Sequence, residues 1–555
     1  MKLYLRYFRE AIRTYPKEFS ASMGMIALLT LTETVIPWGM RLFLDEVTQQ
    51  KDYKILWIGS AIFAVVLLIQ TIMNIQRFAA LDRFGGRYIE HLTLSLESVM
   101  SQTAYSEIEK IQPQIIRNIL YTDVLNVFRG VGHFLPSMIG ALSVLLASLG
   151  IGFFYDLRLT VFIFAAIILG LLLSWVSRKV LAKAAGQTNV KLKSHDAWCT
   201  QFVEMLPLVQ THNILGYYQE KTKANLTDFI STAIKEDKHI YLWNGLISGY
   251  HSLFSIVLSA LLAIPAADGN IANLVFFTML ANLAMQQAQA LESLFQQCVR
   301  AHTSFCHVES LRQLPLRDGK KKLEAISCLD FDHVSFNYAN GVHGLEDVSC
   351  HMESGNVIHI TGANGSGKST FIKLITGLYR ASAGQILING QPADGYLQDM
   401  RNRQILYINQ DEGLLNETFL NYLTYITGHT VSQDECDLLL EKMNLPNDGR
   451  AISGNGSSLS VGQRKKLLII KMMLQQGDAS VIILDEVTVG LDAQTTMFFY
   501  EQVEKMVKEG NKIILLVDHT LGDKPFITHH LHFEDGKCHL LPEESHSWDV
   551  QDRYL

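Results

Sequence analysis

The sequence predicts an all-α membrane domain with six spanning helices, followed by an α/β nucleotide-binding domain of the P-loop type. Long apolar segments occur only between about residues 19 and 300. In the remaining part, residues 362–370 fit the pattern G-x-x-x-x-G-K-[ST], and runs of apolar residues typical of buried parallel strands occur nearby. A chain of 555 residues is long enough for two or three domains. We expect the membrane domain at 1–312, a linker at 313–327 and the second domain at 328–555.

The predicted spans follow from the thickness of a bilayer. A hydrocarbon core of about 30 Å requires about 20 helical residues at about 1.5 Å each. Residues 55–75 form the cleanest candidate, because they contain no charged side chain. The six predicted spans are at about 20–44, 55–78, 133–155, 158–177, 242–264 and 271–291.

Basic residues beside these spans predict the orientation. They cluster before the first span, after the second and after the fourth, whereas the opposite side has only short loops. Because Lys and Arg accumulate in cytoplasmic loops, both termini and the second domain are expected in the cytoplasm. The long stretches 79–132 and 178–241 lie on the same side, contain few Gly or Pro, and predict helices that continue beyond the membrane.

Three polar side chains inside the spans are candidate substrate contacts. Glu33 lies mid-way along the first span, where a carboxylate is costly, so it either contacts substrate in a cavity or pairs with another span. Gln286 and Gln289 lie three residues apart in the sixth span and are expected on one face. That face either lines a water-filled cavity or makes hydrogen bonds between helices.

The glycine-rich loop predicts a phosphate site. It follows a strand-like stretch at 356–361 and precedes a helix-like one, which is the context this motif requires. Glycines let backbone N–H groups turn toward phosphates, and the helix start adds a partial positive charge. Lys368 is expected at the β- and γ-phosphates, and the Ser369 hydroxyl at Mg²⁺. The predicted nucleotide-binding residues of the loop are Gly362, Asn364, Gly365, Ser366, Gly367, Lys368, Ser369 and Thr370.

A second motif, Leu459-Ser460-Val461-Gly462-Gln463, resembles the signature peptide of the ATP-binding cassette (ABC) family. With the P-loop and the six spans, it makes the chain similar to exporter-type ABC half-transporters. The resemblance implies that the long helices turn back in the cytoplasm near residues 112–121 and 206–217. The resemblance implies ATP and Mg²⁺ as ligands and a signature that completes the ATP site of a second cassette. Ser460, Val461, Gly462 and Gln463 are then the residues that contact the partner's nucleotide.

Further roles follow from the same resemblance. Tyr338 matches the aromatic residue that stacks on adenine, and Gln410 matches the glutamine that contacts Mg²⁺ or the attacking water. Asp485 would hold Mg²⁺ through water, and Glu486 would be the general base. Two more matches, Asp492 and His519, correspond to the D-loop aspartate and to the histidine at the γ-phosphate.

Two departures from the family pattern concern the signature region. Val461 replaces the usual first glycine, and Gly454 with Asn455 stands where exporters often carry a Glu-Arg pair. The continuation Gln-Arg-Lys-Lys-Leu-Leu at 463–468 resembles bacterial exporters of cyclic peptides and peptide siderophores.

These matches predict ATP-driven export of a small molecule or peptide by alternating access. One cassette per chain requires a second copy, and the intact Glu486 favours a homodimer over a heterodimer, in the inner membrane of a bacterium. The net charge of −7 gives no reason to expect nucleic acid as a partner. The alternatives are an exporter-shaped importer, for example of a siderophore, and a non-transporting membrane ATPase that acts as a switch.

Overall fold

The computed structural model describes residues 2–50, 53–111, 113–266, 271–317, 319–338, 341–409, 412–446, 449, 451–518 and 524–542. The chain divides into two compact units. The first contains Met1–Leu96 and Ile116–Arg312, and the second contains Glu97–Ile115 and Gln313–Leu555.

Helices make up the first unit and the segment 97–115. In chain order they are α1 (Lys2–Thr14), α2 (Pro16–Gln50), α3 (Tyr53–Gln102), α4 (Tyr105–Glu109), α5 (Pro113–Asn118), α6 (Val124–Phe128), α7 (Leu135–Tyr155), α8 (Leu157–Glu204), α9 (Leu206–His212), α10 (Leu215–Ala266) and α11 (Ile271–Arg312). Two π-helical turns, Ile119–Asp123 and Arg129–Phe134, flank α6.

Each predicted span falls on one of six long helices, and the third begins in the turn before α7. Among the described residues, five segments are long and apolar enough to cross a bilayer: Pro16–Val47, Leu56–Gln102, Pro113–Tyr155, Leu157–Ser177 and Ile271–Phe295. The predicted span at 242–264 lies in α10, which is not among these five segments.

The helices continue far beyond the spans, as the loop lengths predict. The longest, α10, has 52 residues, which corresponds to about 78 Å. The second cytoplasmic turn is the short helix α9, which ends at Asn213 in the left-handed conformation (φ 53°). The first turn comes earlier than the expected 112–121, since α3 already ends at Gln102 and α4 follows. Residues 113–118 remain helical because Pro113 occupies the first position of α5, where proline is tolerated.

The first unit is held together by an apolar cluster and by one very close helix approach. The cluster joins α7, α8, α10 and α11 around Phe276 and Leu258, both almost fully buried. The close approach joins α3 to the turn Arg129–Phe134. A Cβ atom at Gly85 would lie 2.9 Å from the Cα of Gly132 and 2.9 Å from the ring of Phe128. Only glycine fits there without displacing backbone.

The second unit contains two β-sheets. The strands are β1 (Cys328–Asn337), β2 (His343–Glu353), β3 (Val357–Gly362), β4 (Ala383–Ile388), β5 (Gln391–Pro392), β6 (Ile405–Ile408), β7 (Val481–Asp485), β8 (Ile513–Val517), β9 (His529–Glu534) and β10 (Lys537–Pro542). The six-stranded sheet has the order β10-β9-β3-β8-β7-β6 and is parallel except for β10. The antiparallel sheet has the order β2-β1-β4-β5.

Six helices complete the second unit and cover the parallel sheet. They are α12 (Lys368–Ile375), α13 (Gln398–Gln404), α14 (Phe419–Thr427), α15 (Gln433–Lys442), α16 (Val461–Gln475) and α17 (Ala493–Glu509). Strands β7 and β8 are buried almost throughout, which explains their unbroken apolar sequences. Leu323 and Ile326, within the stretch expected as a linker, are buried in the core that also contains Phe331.

The contact at Gly85 generates a stability prediction. Gly85→Ala should lower the apparent melting temperature of the detergent-solubilised protein, because overpacking typically costs about 1–3 kcal/mol. Gly86→Ala is the matched control, since nothing lies within 4 Å of a Cβ atom there. That substitution should leave the melting temperature unchanged or raise it, because alanine favours helix over glycine by about 1 kcal/mol. Equal melting temperatures for the two variants would contradict the close approach.

Candidate nucleotide-binding site

The glycine-rich loop joins β3 to α12 as the sequence predicts. Gly362, Gly365 and Gly367 all have positive φ, at 139°, 83° and 116°. A Cβ atom at Gly367 would lie 2.7 Å from the Leu345 side chain and 2.9 Å from the carbonyl oxygen of Gly344. The loop therefore needs glycine both for its backbone conformation and for its packing. It ends at the N-terminus of α12, where free N–H groups favour an anion.

Lys368 is the first residue of α12, and its side chain folds back onto the glycine-rich loop. Its Nζ donates to the carbonyl oxygens of Gly362 at 2.6 Å and Ala363 at 2.9 Å. Partial burial lowers the pKa of Lys368, and the negative charges of Glu486 and Asp485 oppose that shift. The ammonium is thus held between the phosphate loop and the acidic residues that follow β7.

Other predicted loop residues differ in exposure. Asn364 and Ser369 are exposed, whereas Ser366 and Thr370 are buried. The Ser366 hydroxyl has no hydrogen-bond partner among the described residues, which is unusual for a buried polar atom. Thr370 instead pairs with Tyr338, since their hydroxyl oxygens are 2.7 Å apart. This contact fixes the ring of Tyr338 against the first turn of α12.

The two acidic residues lie at the carboxyl end of β7. Burial raises the pKa of Asp485, and neighbouring Glu486 adds to the rise. A hydrogen bond from the Tyr407 hydroxyl (3.2 Å) and the ammonium groups of Lys368 and Lys465 oppose it. Glu486 has φ 48°, a left-handed conformation that is uncommon for residues with a side chain.

The signature segment starts α16. Ser460 and Gln463 cap each other: the Gln463 N–H donates to the Ser460 hydroxyl at 3.2 Å, and the Ser460 N–H donates to the Gln463 side-chain oxygen at 2.9 Å. Val461 is 64% exposed, so the start of the helix faces outward. A Cβ atom at Gly462 would lie 3.5 Å from the carbonyl oxygen of Gly490, in the loop after β7.

Asp492 caps α17 and contacts the signature helix. Its carboxylate accepts from the Thr495 N–H at 2.8 Å and lies 3.0 Å from the Lys466 ammonium. These hydrogen bonds, the one from Thr495 first, lower the pKa of Asp492 to about 2. Two predicted residues, Gln410 and His519, lie outside the described residues.

Sequence reasoning missed the buried residue before His519. Asp518 accepts hydrogen bonds from Thr488 at 2.5 Å and Tyr500 at 2.9 Å. These contacts join the end of β8 to the loop after β7 and to α17. The signal available in the sequence was an aspartate that directly follows a fully apolar strand.

A second group missed by sequence reasoning is aromatic and lies beside Tyr338. Tyr379 stacks on Phe336 with ring centroids 4.7 Å apart and meets Tyr338 edge-on at 5.8 Å. Its hydroxyl donates to Glu109 of α4 at 2.6 Å. The N–H of Ser106 donates to the carbonyl oxygen of Leu378 at 3.3 Å. These two hydrogen bonds connect the segment between α3 and α5 to Leu378 and Tyr379, beside the residue predicted to stack on adenine, Tyr338.

Comparison with known protein families matches both parts of the chain. Residues 19–289 match the ABC transporter transmembrane region, and residues 345–489 match the ABC transporter ATP-binding family. The chain belongs to the ABC transporter family. The fusion of one membrane region to one cassette makes it an exporter-type half-transporter.

Similar proteins include bacterial exporters along nearly their whole length. A β-(1→2)-glucan export ATP-binding/permease protein of Agrobacterium vitis is 22% identical over 521 residues, 90% of this chain and 86% of that protein. An ATP-dependent lipid A-core flippase of Ralstonia nicotianae is 24% identical over 538 residues, 92% and 88% of the two chains. A flippase of the same name from Haemophilus ducreyi is 30% identical over 260 residues, 45% and 44% of the two. Neither of these names refers to a peptide, so the resemblance to peptide exporters stays a hypothesis.

A solved structure confirms the predicted fold class. It is a bacterial Atm1-family ABC exporter with ATP bound, and it superimposes with a TM-score of 0.84 at 15% identity over 96% of each chain. The present chain is therefore a multi-pass membrane protein with a cytoplasmic ATP-binding domain, like its bacterial relatives. It couples ATP hydrolysis to transport.

The position of Glu486 generates a prediction for hydrolysis. Glu486→Gln should lower the rate of ATP hydrolysis by about 10²-fold or more, because general-base catalysis contributes on that scale. ATP binding should persist, since the phosphate loop is unchanged. The measurements are phosphate release and equilibrium binding of a fluorescent ATP analogue. Glu504→Gln, on an exposed face of α17, is the control. Unchanged turnover in Glu486→Gln would remove this residue from the role of base.

Proposed function

We propose that two copies of this chain export a polar small molecule or peptide by alternating access, with ATP hydrolysed at two composite sites. One observation carries the proposal. The chain contains one phosphate loop and one signature helix, and the start of that helix is exposed with Val461 pointing outward. In a head-to-tail pair, Ser460 and Gly462 would complete the site of the second copy. We further propose that this pair resides in the inner membrane of a bacterium.

The residues around β7 suit ATP hydrolysis. Glu486 would take the proton of the attacking water, and Lys368 would stabilise charge on the β- and γ-phosphates. The fixed N–H groups of the loop would orient the same phosphates. Tyr338 would offer its ring to adenine while Thr370 holds its hydroxyl. His519 would contact the γ-phosphate, by the family resemblance.

A magnesium ion fits the oxygen donors of this site. Asp485 is half-buried beside a second carboxylate, and this arrangement favours a cation nearby. Mg²⁺ prefers oxygen ligands and is bound in such sites by one or two carboxylates or hydroxyls together with phosphates. Asp485, Ser369 and Gln410 would hold it, and its charge would neutralise the phosphate oxygens.

A cavity in the first unit is the candidate substrate site. It has a volume of about 730 Å³ and is lined by α2, α3, α7 and α11. Glu33 lines it together with Arg77, and the side-chain amide of Gln287 lies 3.5 Å from the Glu33 carboxylate. Gln286 also lines the cavity, whereas Gln289 is exposed and does not. The sixth span therefore turns adjacent positions, 286 and 287, toward the cavity.

The cavity walls indicate the chemistry of the substrate. The polar residues comprise one carboxylate, one guanidinium, three hydroxyls and a set of amides. The hydroxyls belong to Thr30, Ser137 and Ser293, and the amides to Gln70, Asn74, Asn282, Gln286, Gln287 and Gln297. The Arg77 Nε is buried and has no hydrogen-bond partner in the part of the chain that the structure describes. Such a lining offers both donors and acceptors, so it favours a substrate with many hydrogen-bonding groups over a purely apolar one. Glucan and lipid A-core, the cargoes named for the similar exporters, both carry such groups.

Import remains the competing direction, and a switch without transport is the second competitor. The exporters among the similar proteins favour export. Inverted membrane vesicles distinguish the three possibilities, because export and import move a probe in opposite directions and a switch moves none.

The transport proposal predicts ATP-dependent uptake into inverted vesicles. The probes would be labelled β-(1→2)-glucan, lipid A-core and a short zwitterionic peptide. At least one should accumulate with ATP and none with the Glu486→Gln chain. For an accepted probe, Glu33→Gln should reduce uptake at least about tenfold while basal ATP hydrolysis stays within about twofold. Gln289→Ala is the matched control outside the cavity. Hydrolysis without movement of any probe in either direction would contradict transport of these classes.

The contact between Tyr379 and Glu109 predicts an uncoupled variant. Tyr379→Phe removes the hydroxyl that donates to Glu109 but keeps the ring stacked on Phe336. We expect ATP hydrolysis within about threefold of the unchanged protein and a larger fall in probe uptake per ATP. Glu109→Gln should give the same phenotype, because it removes the charged acceptor of that bond. Tyr396→Phe is the control, because it also removes a hydroxyl from a half-buried tyrosine of the ATP-binding domain. That hydroxyl donates to the carbonyl oxygen of Ile388. An unchanged ratio of uptake to hydrolysis in both variants would refute the coupling role.

A further inference from the structure

Lys465 lies in the first turn and a half of α16, beneath the exposed start of that helix. It is only 5% exposed, and its Nζ donates to the backbone carbonyl oxygen of Glu486 at 2.7 Å. A buried ammonium is stable only with such partners. The contact therefore fastens the signature helix to the peptide group of the residue assigned as general base.

The backbone of Glu486 is held from two sides. Its N–H donates to the carbonyl oxygen of Val517 in β8 at 2.8 Å, and its own carbonyl accepts from Lys465. The residue adopts φ 48°, a conformation that must be imposed by its surroundings. Strand β8 and helix α16 thus jointly fix the backbone position from which the Glu486 side chain extends.

The same helix holds two neighbouring loops through lysines. Lys466 contacts Asp492 at 3.0 Å, and Lys471 contacts Glu412 at 2.6 Å. Asp492 lies in the loop after β7, and Glu412 lies in the loop after β6. Of the three lysines, Lys465 reaches the backbone of the base itself.

We propose that Lys465 is a positioning residue for ATP hydrolysis, which joins the signature of one site to the base of the other. This inference goes beyond the proposed function and rests on its composite sites. In the pair, the start of α16 would contact the nucleotide bound by the second copy. The first turns of α16 would also hold Glu486, which acts on the nucleotide bound by the same chain. Occupation of one site would thereby set the position of Glu486 in the other.

The effect should be on the chemical step rather than on ATP affinity. Small misplacements of a catalytic group lower rates strongly, by up to about 10²-fold for a shift of about 1 Å. ATP affinity depends on the phosphate loop, on Lys368 and on the ring of Tyr338, whereas Lys465 donates to the backbone of Glu486. Loss of Lys465 should therefore reduce kcat at nearly constant KM, the pattern of an interaction used in the transition state.

Three variants of the full chain test this role in phosphate-release assays. Lys465→Met, which keeps the length and apolar stem, should lower kcat about tenfold or more with KM for ATP within about twofold. Lys465→Arg keeps a cationic donor and should recover a large part of kcat. Lys512→Met is the matched control, because Lys512 is 6% exposed and donates to the carbonyl oxygens of Gln476 and Ala479 beyond the other end of α16. Lys512→Met should lower the melting temperature as much as Lys465→Met does, but it should keep the original kcat.

A distance measurement separates failure of this inference from failure of the composite sites. Spin labels at Val461→Cys, in a Glu486→Gln chain without other cysteines, should report a distance between two copies that shortens with ATP. If no ATP-dependent distance appears, the composite-site proposal fails. If the distance shortens but Lys465→Met keeps the original kcat, only the role of Lys465 is overturned. The role is also overturned if Lys465→Met, Lys465→Arg and Lys512→Met lose kcat and stability in parallel, because the effect is then structural.

Discussion

The parallel pairing of β3, β8, β7 and β6 is the constraint on which the ATP site depends. In this register Ile360 lies level with Val517, and Val517 lies level with Asp485. The chain leaves each of these strands at the same edge, so segments far apart in sequence converge there. The phosphate loop follows β3 directly, and Glu486 follows β7. A shift of one residue in the pairing would turn every buried side chain of a strand to the opposite face. The apolar faces of the sheet therefore maintain the spacing between the loop and the base.

The parallel sheet alone does not hold Glu486, the proposed base, because this residue is outside its strand and in a left-handed conformation. Hydrogen bonds from neighbouring elements supply the missing constraint, with the amide bonded to Val517 and the carbonyl to Lys465. Buried lysines are expensive unless paired, and α16 carries two that are each less than a tenth exposed. Both point at loops that leave the catalytic edge. The signature helix is thus more than a surface offered to a second copy.

The sequence predicted those features that depend on local pattern, and it missed those that depend on which surfaces meet. Apolar length and the phosphate-loop pattern sufficed for the helices, the strands around the loop and the family, because each is encoded within a few tens of residues. The partners of Lys465 and Tyr379 could not be inferred, since Glu486 and Glu109 reach them only through the fold. The first cytoplasmic turn was expected too late because its position was taken from the family resemblance, whereas α3 ends at Gln102. Likewise, Gln286 and Gln289 were chosen because residues three apart share a helix face. The cavity is instead lined by the adjacent residues Gln286 and Gln287, and Gln289 lies outside it.

The segment 97–115 belongs to the same compact unit as the ATP-binding domain. Its backbone is bonded to the chain leading into β1, because the N–H of Arg317 donates to the carbonyl oxygen of Gln102 at 3.0 Å. A β-bridge between Thr103 and Leu316 adds to that contact. Helix α3 runs without a break from Tyr53 through this segment to Gln102, and no Gly or Pro occurs between 97 and 102. The Glu109 carboxylate accepts from Tyr379, and the Tyr379 ring meets Tyr338 edge-on. Helix α4 and the ring proposed to stack on adenine therefore belong to one packed group.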